Sequence, residues 1–127
     1  MQFASGQSIY LQISDYICEK ILRRDWDEGD RIPSVREMAV SVEVNPNTVA
    51  RAYAVLQEEG IIHNRRGIGY FVAPDGREAT AAMKRREFVR DELPRVFRTM
   101  TLLDMSIEEL QRRYEQYLEE EQRETND

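Results

Sequence analysis

The chain has 127 residues, 18 Lys+Arg against 24 Asp+Glu, and a single cysteine, for a formal net charge of −6. That length holds one domain or a small domain with an appendage, and a 41 % hydrophobic content excludes wholesale disorder. No apolar run reaches membrane-spanning length, residues 1–6 lack the pattern of a secretory leader, and the lone Cys18 fits a reducing compartment, so a cytoplasmic protein is expected.

Residues 8–24 read as a helix. Ile9, Ile13, Ile17 and Ile21 recur every four positions, widened by Tyr16 and Leu22. Residues 25–30, with Gly29, break it. Ser34 and Glu37 form a capping box, which predicts a short helix to about Val42. Asn45 is a cap for a third helix that begins at Pro46, where no N–H is needed, and runs to about Glu59, with Gly60 as its stop. Val49, Tyr53 and Leu56 face inward on that helix. Ile61-Ile62 and Tyr70-Phe71-Val72 read as two short strands around residues 65–69.

From Gly76 the chain turns into long helical stretches. Val89, Leu93, Val96, Met100 and Leu103 alternate by four and three, a heptad-like seam. Pro94 lies within it and is expected to kink the helix, because it cannot donate to residue 90. Ser106 with Glu109 makes a second capping box. Ile107, Leu110, Tyr114 and Tyr117 then continue as a stripe to about Gln122, with residues 125–127 frayed.

Enzyme chemistry has little to stand on. His63 is the one histidine, and it reads as a surface or phosphate-contacting residue. Cys18, beside Ile17, reads as a small buried apolar group. No cluster has metal-ligand spacing, and Gly67-Ile68-Gly69 lies between strands rather than at the head of a helix. Neither a metal nor a cofactor is expected, and no catalytic residue is assigned.

The segment from Arg31 to Val72 says more. Two short helices joined by a tight turn can place the second in a DNA major groove, with its first residues at base edges. Here those residues are Asn45, Asn47 and Thr48, with Arg51 one turn on. A helix N-terminus also attracts phosphate. Arg36 opens the preceding helix beside Ser34, and Arg65, Arg66 and Gly67 form a hairpin tip that can approach a groove. The chain carries sixteen Arg and only two Lys, Lys20 and Lys84. Arginine suits bidentate contacts with phosphate and base edges. Net acidity is not an objection, since residues 31–72 hold five basic and four acidic groups. A protein-interaction module is the rival reading, disfavoured by the four arginines at positions 36, 51, 65 and 66. A third is a small-molecule sensor lined by Phe97, Tyr114 and Tyr117, although aromatics at helical spacing are more often core or interface.

These runs resemble the GntR family of bacterial transcription regulators. The resemblance covers roughly residues 8–73. It rests on residues 9–13 (IYLQI), 29–39 (GDRIPSVREMA), 44–53 (VNPNTVARAY), 56–62 (LQEEGII) and 65–72 (RRGIGYFV). It implies an N-terminal winged helix-turn-helix over residues 1–73, with DNA contacts from Arg36, from Asn45, Asn47 and Thr48, and from Arg66 and Gly67. Some relatives carry arginine where this chain has Ala50. Arg51 can substitute, but it points about 100° away on a helix. The short remainder, residues 74–127, resembles the two-helix part of the YtrA-like subfamily. That resemblance implies a mostly α protein with a small β-wing, a homodimer on a pseudo-palindromic operator, and a repressor of its own operon, which in the subfamily often encodes a transporter. Two amphipathic helices alone can hardly bury both apolar stripes, so a second copy is the natural cover.

Overall fold

The computed structural model describes residues 7–126. The readings of residues 1–6 and of Asp127 lie outside that range. The contacts divide the chain into two compact units, one ending at Arg85 and the other beginning at Arg86.

The first unit opens with α1 (Ile9–Leu22), whose Ile13, Ile17, Cys18 and Ile21 are buried. The capping box is fully formed before α2 (Val35–Val42): the Glu37 N–H donates to Ser34 Oγ at 3.1 Å, and the Ser34 N–H donates to Glu37 Oε1 at 3.0 Å. That backbone donor holds the Glu37 carboxyl below its ordinary value. Glu43, in the left-handed region at φ 56°, ends α2. Next, α3 (Pro46–Glu58) buries Val49, Ala52, Tyr53 and Leu56 against α1 and α2. Gly60 follows directly after the cap residue Glu59, at φ 77°.

Two strands close the unit, β1 (Ile62–Arg65) and β2 (Gly69–Val72), antiparallel with Arg65 opposite Gly69. The strands thus reach further toward the tip than the apolar pattern alone suggests. A third extended piece was not expected. The Ile32 N–H donates to the Tyr70 carbonyl at 3.0 Å, the Val72 N–H to the Asp30 carbonyl at 2.9 Å, and Arg31 bridges to Phe71. The run before α2 is thereby sewn to the second strand of the hairpin, which lies between it and β1.

Tyr53 ties the unit together. Its hydroxyl donates to the Pro33 carbonyl at 2.6 Å, and its ring meets Tyr70 edge to face at 4.9 Å. Burial pushes its phenol well above the ordinary tyrosine value.

The long helical stretches begin at Gly76, but the first packed unit runs further, because α4 (Gly76–Glu87) belongs to it as far as Arg85. Thr80 and Met83 are buried, Lys84 pairs with Asp15 at 2.7 Å, and Arg77 donates to the Leu22 carbonyl at the end of α1. Gly76 makes this approach possible. A Cβ there would lie 2.6 Å from the Ile61 carbonyl oxygen.

In the second unit, a π-helical turn (Phe88–Glu92) leads into α5 (Leu93–Leu102). The interruption expected from Pro94 therefore falls in the turn before it. Pro94 supplies no N–H, and the ladder widens there so that Leu93 N–H reaches back to the Phe88 carbonyl. Asp104, at φ 54°, turns the chain into α6 (Ile107–Asn126), started by Ser106, whose Oγ accepts the Glu109 N–H at 3.1 Å. The helix α6 continues to Asn126, beyond the expected end of its stripe near Gln122, without a glycine or proline to stop it. Met100 is the one buried residue of α5, and α6 has none. Val89, Val96, Leu103, Ile107, Tyr114 and Tyr117, all part of the expected stripes, stand exposed.

Candidate nucleic-acid interface

The residues singled out at positions 34–67 fall on three neighbouring features of the first unit: the start of α2, the start of α3 and the hairpin tip. Arg36 is exposed in the first turn of α2, beside a shallow groove formed with Val40, Glu43 and Pro46. Ser34 and Asn45 are both engaged as caps. Ser34 Oγ still has its own proton to donate, and Asn45 still has its amide N–H groups.

The cap on α3 alters one expectation. Pro46 has no N–H, the Asn47 N–H donates to Asn45 Oδ1 at 2.8 Å, and the N–H groups of Thr48 and Val49 donate to the Asn45 carbonyl. The first turn thus has no unengaged backbone donor for a phosphate. Recognition at this end falls to side chains: exposed Asn47, half-buried Thr48, and Arg51 one turn further.

Arg51 is not a loose surface cation. Its guanidinium lies 3.9 Å from the centre of the Tyr10 ring, at the start of α1. Arg65 behaves alike, 4.4 Å from the centre of the Phe71 ring on the facing strand. His63 meets the same ring edge-on at 6.1 Å. At the tip, Ile68 N–H donates to the Arg65 carbonyl at 2.9 Å, and Gly67 takes φ 79°, which suits glycine at the third position of a tight turn. Arg66 is exposed on that turn.

One residue was missed as a site candidate. Arg31 lies with its guanidinium against Gly69, whose absent Cβ would meet Nε at 3.0 Å. Gly69, at φ 143°, is therefore doubly suited to be glycine. Nothing in the local pattern reveals this contact, because it depends on the pairing of residues 29–32 with β2. Arg31, Arg36, Arg51, Arg65 and Arg66 all lack an ion-pair partner among the described residues. No cluster of potential metal ligands occurs among those residues, nor is any helix there long and apolar enough to cross a membrane.

Three helices with the third preceded by a tight turn, closed by a two-stranded wing, define a winged helix-turn-helix. Residues 9–72 match the model of the gntR family of bacterial regulatory proteins. The chain belongs to that family, whose members are transcription regulators and not enzymes. It is 49 % identical over 72 residues to the HTH-type transcriptional regulator YhcF of Bacillus subtilis, covering 57 % of this chain and 60 % of that protein. It is 41 % identical over 73 residues to the HTH-type transcriptional repressor YtrA of the same organism, covering 58 % of this chain and 56 % of that protein. The matched segment thus spans somewhat over half the length of these curated relatives. A crystal structure of a GntR-family regulator from Bacteroides thetaiotaomicron matches over 90 % of this chain and 99 % of its own, at 40 % identity and a TM-score of 0.74.

Proposed function

We propose that this chain is a homodimeric, sequence-specific DNA-binding repressor that acts on its own operon. Support for DNA as the partner comes chiefly from one observation: four exposed arginines, Arg36, Arg51, Arg65 and Arg66, stand without carboxylate partners around the helix-turn-helix and the wing. In this reading Arg36, Arg66 and Arg65 hold phosphates, with Ser34 and Gly67 close to the backbone. Asn45, Asn47, Thr48 and Arg51 face bases or the phosphates beside them.

The dimer is supported by α6. A twenty-residue helix with no buried residue has little to hold it in water as a lone element. Its stripe of Ile107, Tyr114 and Tyr117 offers the second copy a surface, as do Val96 and Phe97 of α5. A two-fold dimer would set its recognition helices about 34–36 Å apart, or at a multiple of that, on a pseudo-palindrome. Repression is supported by the likeness to YtrA of Bacillus subtilis, a transcriptional repressor.

The test is binding of the purified chain to the DNA upstream of its own operon, with light scattering on the same sample and a reporter for transcription. The expected result is a dimer that shifts that DNA and lowers reporter output. A monomer, or equal affinity for the upstream DNA and a scrambled duplex, sinks the reading.

A further inference from the structure

Arg51 follows Asn47 by four residues, so the two share one face of α3. That removes the difficulty raised by Ala50: Arg51 does not replace a side chain at position 50 but belongs to the row that starts at Asn47. With Ser8, Tyr10 and Thr48, these two residues line a shallow groove where α1 and α3 begin. Within it the guanidinium sits over the Tyr10 ring at 3.9 Å.

A stack of this kind differs chemically from an ion pair. A carboxylate would occupy two N–H groups and cancel the charge. A ring carries no carboxylate to occupy them, so the guanidinium N–H donors are left for a base or phosphate. The ring also limits the rotamers of a long side chain before binding, so less freedom is lost when a base or phosphate is met.

We infer that Tyr10 is a positioning residue for DNA recognition: α1 supplies the ring that holds Arg51 of α3 in its reading orientation. The inference rests on the DNA-binding reading above. Tyr10 itself touches no base in this scheme and acts through Arg51.

The experiment uses the full chain and a duplex enriched by that chain from a random library, with affinities read by fluorescence anisotropy. Tyr10→Phe keeps the ring and is expected to bind as the parent does. Tyr10→Leu removes the ring's charge distribution and is expected to weaken binding roughly two- to fivefold. In an Arg51→Gln background, Tyr10→Leu should weaken binding no further. If Tyr10→Leu costs the same factor in both backgrounds, Tyr10 only supports the fold and the inference is wrong. A measurement on the unmutated protein guards against a variant that does not fold: the Arg51 δ protons should resonate upfield under the ring current, and unshifted δ protons overturn the stack. Should no duplex be enriched at all, the DNA reading falls and takes this role with it; additive variants on a protein that does bind sink Tyr10 alone.

Discussion

Among the described residues, the arginines around the helix-turn-helix and the wing have no carboxylate partner, whereas some arginines elsewhere do, Arg23 beside Glu19 at 2.7 Å and two in the helical unit among them. In the helical unit Arg90 makes two 2.9 Å hydrogen bonds to the Asp91 carboxylate, and Arg113 approaches Glu109 at 3.8 Å one helical turn away. In the winged unit Arg36 and Arg66 stand open, Arg51 and Arg65 rest on aromatic rings, and Arg31 lies against a glycine. The chain is acidic in total, but total charge is the wrong quantity for judging DNA affinity. Phosphates respond to guanidinium groups whose charge is not already cancelled at contact distance. Four arginines around one motif, Arg36, Arg51, Arg65 and Arg66, keep that charge in a chain that is acidic in total.

The comparison breaks most sharply at Arg36. Arg36→Ala should weaken binding to operator and non-operator DNA alike by about tenfold and lower the salt slope by about one unit. Arg90→Gln, which removes the same formal charge from the other unit, should leave both quantities unchanged. Equal effects from the two substitutions in salt-titrated anisotropy would mean that net charge, not pairing, governs affinity.

A smaller effect tests the frame that holds the open arginines. Tyr53→Phe keeps the ring but strands the Pro33 carbonyl, and should reduce stability by about 1 kcal/mol in a urea titration. No change in the midpoint would show that the 2.6 Å bond contributes nothing to joining α3 to the run before α2.

The smallest expected effect concerns the cap beside Arg36. The Glu37 carboxyl is lowered in the folded state by the Ser34 N–H, so its contribution to stability is complete above its ordinary value of 4.5 and disappears as pH falls through the lowered folded value. Wild type and Glu37→Gln should therefore differ in melting temperature by a constant amount near neutrality and converge in acid. A gap that widens on acidification contradicts the capping role.

Local signals were readable because each is closed within a few residues. The pair Ser34 and Glu37 predicts the start of α2, and Asn45 with Pro46 that of α3. A four-three spacing puts Val49, Tyr53 and Leu56 inside. The candidate positions at the starts of α2 and α3 and at the hairpin tip follow from the same local logic. What stayed hidden needs two distant stretches at once. Tyr10 and Arg51 are 41 positions apart and come from different helices. The Arg31 contact with Gly69 exists only because residues 29–32 pair with β2. The inclusion of α4 in the first unit turns on the missing side chain of Gly76 against Ile61, which reads in sequence merely as the end of a turn. Cation–π and close-approach contacts leave no periodic trace.

The scarcity of lysine has a consequence for control of this protein by modification. Its two lysines, Lys20 and Lys84, are bound to Asp25 at 3.7 Å and Asp15 at 2.7 Å. Neither belongs to the arginine-bearing face. Lysine acetylation, which turns off nucleic-acid binding by erasing an ammonium charge, has no substrate on that face. Guanidinium groups remain charged at every pH a cell reaches. The charge on that face is thus permanent and out of reach of lysine modification.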